Sequence, residues 1–208
     1  LLVDVSDGIG TLTLNRPEKL NAFTDGMLHA LVAALDDFET RDDVQVAILT
    51  GAGGGFSSGG DISGMGAGHE AEPHQTKAHE SYAKIGLAPG GGGAYFLPRL
   101  IGKAQALELL WTADFVDAQT ALELGLVNHV YPDDQLMAET VKLAKRIAGQ
   151  PPLSVRLIKR LVDQGLRSDM DTAFDLVSSH IAILRSGPDH QEAIAAFREK
   201  RPGKYKGF

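Results

Sequence analysis

Residues 51–68, GAGGGFSSGGDISGMGAG, are glycine at half of their positions. A helix or strand through such a run would lose about 0.5–1 kcal/mol per glycine relative to alanine. The chain must therefore form a long loop here. Immediately before it, Val44–Leu49 (VQVAIL) is almost continuously apolar and reads as a strand buried on both faces. A loop of small residues leaving the end of such a strand lets main chain come close to a ligand. The chain holds 24 glycines in 208 residues, above the ordinary level of about 7%. A second cluster at Pro89–Gly93 accounts for part of the excess.

The flanks set the fold class. Residues 1–14 hold two short runs, LLVDV and IGTLTL, joined by Ser6-Asp7-Gly8, a hairpin signal. Thr24 is an N-cap, and Met27, Leu28, Leu31, Leu35 and Phe38 recur at helical spacing to about Glu39. Strand, helix, strand in this order predicts an α/β layered fold. From Ala104 onward the pattern is helical almost throughout, with stops at Gly125, Pro132, Pro151-Pro152 and Gly187-Pro188. The expected organisation is an α/β core over 1–103 and a helical C-terminal part over 104–208.

Composition excludes several chemistries. With no cysteine there is no disulfide, thiolate metal site or cysteine nucleophile. A net charge of −7 and an isoelectric point near 5.4 lack the basic footprint of a nucleic-acid binder. No apolar run approaches the ~18 residues of a membrane span. A soluble, cytoplasmic protein is expected. Neither G-x-G-x-x-G nor the P-loop pattern occurs, so the glycine clusters are not nucleotide loops. The seven histidines form no H-x-x-x-H or H-E-x-x-H pair, and surface positions are expected for them. No metal is expected.

Three features remain. Gly55-Phe-Ser57-Ser-Gly59 matches the G-x-S-x-G elbow of serine hydrolases, but the sequence after Ser57 is a poor helix start. The ending from Arg198 to Lys206 carries five cations against one acid, either a solvated helix end or a site for an anion. Residues 56–62, FSSGGDI, join an apolar anchor to small residues that bare main-chain N–H groups. Groups presented in this way can stabilise an oxyanion without any particular side chain.

Taken together, the motifs resemble the crotonase superfamily, the enoyl-CoA hydratase/isomerase family. The similarity is carried in order by residues 11–17 (TLTLNRP) leading to 20–22 (LNA), 46–51 (VAILTG) and 56–62 (FSSGGDI). It continues through 86–93 (GLAPGGGG) with 97–99 (LPR) and 101–102 (IG), then 118–128 (AQTALELGLVN) and 196–201 (AFREKR). The resemblance implies a spiral of ββα units and C-terminal helices that mediate trimers, often paired into hexamers. It implies an acyl-CoA thioester as ligand, with coenzyme A arriving as part of the substrate and no separate cofactor. Two main-chain N–H groups would hold the thioester oxygen as it gains enolate charge. By position Gly60 supplies the first, surrounded by Ser58, Gly59, Asp61 and Ile62. Lys19, Leu20 and Ala22 fall where the family's adenine-binding backbone runs, and Leu87 and Pro89 fall on the second glycine loop of the substrate site.

Two departures bear on the reaction. The family has a stretch between its two glycine loops that supplies the second oxyanion N–H and a first carboxylate. Here residues 69–79 run almost directly into 80–86, so the natural polypeptide is read as carrying a further segment near 77–80. Hydratases also place a glutamate where this chain has Tyr82. A phenol with a pKa near 10 donates a proton but is a poor base at neutral pH. Isomerase and hydrolase branches therefore stand beside the hydratase. A serine hydrolase through Ser57 and a non-catalytic CoA-binding relative are the readings from other classes.

Overall fold

The structure, a computed structural model, describes residues 1–61, 83–84, 86–89 and 92–207. Strands β1 (Leu2–Ser6) and β2 (Ile9–Leu14) form the expected hairpin. Asp7 and Gly8 both take positive φ, 53° and 78°, as a tight two-residue turn of matching twist requires. Thr24 caps helix α1 (Asp25–Thr40), its Oγ1 accepting from Met27 N at 3.2 Å. Strand β3 (Val46–Gly51) follows, and the sheet order is β1-β2-β3. Val46 N donates to Gly8 O, and Ala52 N to Leu14 O. Both residue numbers rise together, so β3 runs parallel to β2 with α1 as the crossover.

The expectation that the β3 segment is buried on both faces is not met. Ile48 is buried, but Leu49 is 42% exposed. Successive side chains of a strand point to opposite faces, and burial alternates accordingly along β3: Val46 and Ile48 lie on the covered face, Ala47 and Leu49 on the exposed one.

The described residues gather into two compact units. One comprises Leu1, Thr13–Ala30 and Thr50–Glu139. It holds helices α2 (Gly93–Ile101) and α3 (Lys103–Thr112), which pack on each other, and α4 (Ala118–Leu124). Asp117 caps α4 by accepting from Thr120 N, and Gly125 ends it in the left-handed region. Helix α3 is followed by its C-cap Ala113, whose carbonyl accepts a 2.7 Å bond from Lys84 Nζ.

The other unit comprises Leu2–Leu12, Leu31–Leu49 and Thr140–Phe208. Ile9 and Ile48 from the sheet pack with Ala144 of helix α5 (Asp133–Ala148), joined by Val46 and Val141. Helix α7 (Met170–Ser186) packs on α6 (Pro152–Gly165) and α8 (Pro188–Glu199). These helices break at the prolines the sequence marked. Large apolar side chains remain exposed on them, among them Ile158, Val162 and Leu166 at four-residue intervals, and Met170 and Phe174. No described helix is long and apolar enough to cross a membrane.

Among the described residues one histidine is buried instead of at the surface as expected. His180 is buried on α7, where Nδ1 lies 2.7 Å from Leu176 O and so carries the proton. The carbonyl one turn back satisfies that N–H, which is what allows the ring to be buried.

Candidate functional site

The sequence directs attention to two segments, 15–23 and 51–61, and the structure ties them together. The chain leaves β2 at Leu14, makes a short 3-10 helix at Pro17–Lys19, then passes through two left-handed residues, Leu20 (φ 48°) and Asn21 (φ 55°). Left-handed backbone is costly for leucine but tolerated by asparagine. Asn21 is fully buried, and every polar atom of its side chain is used. Its Oδ1 accepts from Arg16 N at 2.8 Å. Its Nδ2 donates to Ala52 O and Gly55 O, both at 2.8 Å. The amide thus closes the first turn of the glycine loop onto the 15–23 segment. Gly51 has to be glycine for this closure, because a Cβ there would lie 2.4 Å from two main-chain oxygens, Gly55 O and Phe56 O.

Further along, the segments pair as a short parallel bridge between Phe23 and Gly60. Ser58 N donates to Leu20 O at 2.9 Å, Phe23 N to Gly59 O at 2.7 Å, and Asp61 N to Phe23 O at 2.8 Å. A trans peptide directs its C=O and N–H to opposite sides. Since Gly59 O faces Phe23, the N–H of Gly60 points away from it, and it has no partner among the described residues. Gly59 adopts φ 98°, a conformation that only glycine takes readily. Beyond the bridge, Arg16 Nη1 lies 2.9 Å from both Asp61 Oδ2 and Ala22 O.

Ser57 belongs to the same arrangement. Its Oγ donates to Asn21 O at 2.9 Å and accepts from Gly59 N at 3.1 Å. The hydroxyl proton is committed to a carbonyl, and among the described residues no histidine bonds to it. That is the bonding of a loop brace, not of an activated nucleophile.

The expected site residues therefore divide into three groups. Lys19, Leu20 and Ala22 lie on the first segment, and Ser58, Gly59, Gly60 and Asp61 on the second; hydrogen bonds bring these two together. Lys19 and Leu20 are exposed, while Ala22 is buried. Leu87 is exposed and Pro89 half-buried on a loop that begins at Gly86, and no hydrogen bond joins either to the paired segments. Ile62 and Tyr82 lie outside the described residues. Sequence reasoning passed over Arg16 and the buried role of Asn21. For Asn21 the signal was an asparagine between the end of β2 and the start of α1, a residue type that tolerates left-handed backbone. Among the described residues no three side chains gather in a way that could hold a metal ion.

The family model for enoyl-CoA hydratase/isomerase matches residues 4–84 and 77–207. The chain belongs to this family. The first stretch includes the paired segments and the second the helices that follow them, and the two stretches overlap at 77–84. A 1,2-epoxyphenylacetyl-CoA isomerase of Escherichia coli K12 is 28% identical over 257 residues, covering 100% of this chain and 98% of the relative. A short-chain-enoyl-CoA hydratase of Clostridium acetobutylicum is 29% identical over 255 residues, covering 100% and 97%. Both alignments are longer than the 208 residues here, so each relative has positions without a counterpart in this chain. The crystal structure of an enoyl-CoA hydratase from Bacillus anthracis superposes with a TM-score of 0.93 at 26% identity, covering 100% of this chain and 99% of that one. The fold is the crotonase fold, and the protein is an acyl-CoA-processing enzyme of the hydratase/isomerase type.

Proposed function

We propose that the Gly60 N–H is one donor of an oxyanion hole that holds the thioester oxygen of an acyl-CoA while enolate charge develops on it. The observation that carries this reading is the direction of one peptide. Gly59 O is bound by Phe23 N, so the Gly60 N–H is turned outward without a partner, on a loop whose small residues let a ligand approach. Loss of one such donor removes roughly 3–4 kcal/mol of transition-state stabilisation. Lys19 and Leu20 are exposed residues on a segment tied through Leu20 O to this loop, which is the support for reading residues 19–22 as the adenine-binding segment. Leu87 and Pro89 complete the proposed acyl site. Coenzyme A is part of the substrate, and the chemistry calls for no further cofactor.

The branch of the family turns on Tyr82. As a phenol at the position of a hydratase glutamate, it suits a proton donor, which favours an isomerase or hydrolase with a single acid/base. The second oxyanion donor and the first carboxylate are assigned to a further segment near 77–80, a reading supported by the division of the family match into two stretches that meet and overlap at 77–84. The exposed apolar faces of α6 and α7 support a homotrimer, or a hexamer built from two, formed through the helical part 104–208. A cytoplasmic location completes the reading.

The test compares Gly60→Pro, which removes the N–H, with Gly60→Ala, which keeps it and whose Cβ meets nothing within 4 Å. Across a panel of enoyl and other acyl-CoA thioesters, the turnover shown by the wild type should vanish in the first and persist in the second. Near-normal turnover in Gly60→Pro would overturn the assignment. A fall in rate at constant substrate affinity for Tyr82→Phe would support its part in proton transfer.

A further inference from the structure

The peptide between Gly59 and Gly60 has a glycine on each side. No side chain opposes its rotation, and a Cβ at either position would find open space. Turned over, the same peptide would offer Gly59 O, an acceptor, where the N–H now stands. Its present orientation therefore depends on what grips the strand around it. Two main-chain bonds do so, Phe23 N to Gly59 O and Asp61 N to Phe23 O. Both belong to an isolated bridge of one residue pair, and Gly59 and Gly60 are exposed, so water competes for these bonds.

Arg16 closes the arrangement. A single nitrogen, Nη1, donates to Ala22 O, one residue before Phe23, and to Asp61 Oδ2, one residue after Gly60, each at 2.9 Å. The guanidinium thus clips the two strands of the bridge together at its edge. The Arg16 and Asp61 side chains are 28% and 16% exposed. The pair is sheltered more than a surface ion pair, and its bonds are charge-assisted. The base of the arginine is fixed in turn, because Arg16 N donates to Asn21 Oδ1 at 2.8 Å.

We propose that Arg16 is a positioning residue for this enzyme: by clipping Asp61 to the Ala22 carbonyl it holds the Gly59–Gly60 peptide with its N–H facing the substrate oxygen. The proposal rests on the oxyanion reading of Gly60. It predicts that Arg16 acts on charge developing at the thioester oxygen and not on the general affinity for coenzyme A.

The experiment compares two ligands in the full natural chain. Acetoacetyl-CoA has an acidic carbon between two carbonyls and so can form an enolate with charge on the thioester oxygen, while butyryl-CoA stays neutral there. Misplacing a group by about 1 Å can cost about 10²-fold in rate. Arg16→Ala should accordingly lose most of the preference for the enolate, at least about tenfold, with the butyryl-CoA Kd within about twofold of wild type. The kcat for the acyl-CoA thioester that the wild type turns over should fall with its KM little changed. Arg16→Lys, which keeps a cationic donor on a flexible stem, should recover most of the loss, and Arg16→Ala with Asp61→Ala should be no worse than Arg16→Ala alone. An unchanged enolate preference would overturn the proposal. So would parallel loss of both ligands and of thermal stability without rescue by lysine. Gly60→Pro, run alongside, separates the two claims. If it abolishes the preference while Arg16→Ala keeps it, only the role of Arg16 falls. If Gly60→Pro itself keeps the preference, the oxyanion reading fails and the proposal falls with it.

Discussion

The side-chain amide of Asn21 holds the main-chain oxygen of Gly55 at 2.8 Å across a separation of 34 residues, and the same nitrogen reaches Ala52 O. Replacing Asn21 by alanine leaves both oxygens and Arg16 N without this partner, and it removes a residue that tolerates left-handed backbone. A lost partner at a buried polar group costs about 1–3 kcal/mol. Gly55 is exposed and can turn to water. Asn21→Ala should therefore destabilise by roughly 2–3 kcal/mol in chemical denaturation. A change below about 0.5 kcal/mol, the ordinary surface level, would show that the loop is closed by other contacts.

Gly59 isolates the effect of backbone direction. At φ 98° any side chain is strained, yet a Cβ there meets no atom within 4 Å. Gly59→Ala therefore introduces backbone strain of roughly 1–3 kcal/mol and no collision. The exposed loop can relieve that strain by rotating the following peptide, which lifts Gly59 O from Phe23 N. Turnover should fall at least about tenfold while stability drops by less than the full strain. Thermal melts and initial rates on the same preparation decide this. Full activity would mean that the loop tolerates the side chain with its N–H still aimed.

Local signals made much of the fold legible. Asp7-Gly8 specified the hairpin, Thr24 the start of α1, and Gly125, Pro151-Pro152 and Gly187-Pro188 the ends of the later helices, each through a conformational preference acting within a few residues. The exposure of Leu49 was not legible, because an apolar run says what should be covered and not what covers it. Of the site, the small residues of 56–61 were visible as bare main chain. The brace was not. Arg16 to Asp61 and Asn21 to Gly55 join positions 45 and 34 residues apart, and neither side chain carries a spacing that marks its partner. His180 was misjudged for a related reason, since burial became tolerable through a carbonyl on its own helix.

Ser57 offers a direct discrimination between chemistries. Its hydroxyl donates to Asn21 O and accepts from Gly59 N, so Ser57→Ala removes two loop bonds and no nucleophile. The variant should keep turnover within about tenfold of wild type, whereas removing a serine nucleophile costs on the order of 10⁶-fold. A fluorophosphonate probe should leave the protein unlabelled. Stoichiometric labelling at Ser57, with activity abolished by alanine, would return the hydrolase reading.

The C-terminal tail gives a pH-dependent prediction. Glu192 on α8 pairs with Arg201 and accepts from Lys204 N, while Asp189 accepts from Lys206 N and Gly207 N. The tail is thus folded back along its own helix. The Arg201 guanidinium first, and the Lys204 N–H second, lower the Glu192 pKa from its ordinary 4.5 to about 2. A carboxylate depressed in the folded state stabilises it fully above the ordinary value, and the contribution is lost as pH falls toward the folded one. The latch at Glu192 should therefore hold at pH 6 and weaken between about 4.5 and 2. After correction for intrinsic exchange rates, amide exchange at Lys204 should be faster at pH 3 than at pH 6. In Glu192→Gln, which accepts hydrogen bonds but carries no charge for Arg201, protection should be low at both values. Equal protection of wild type at pH 3 and pH 6 would show that the ion pair does not hold the tail.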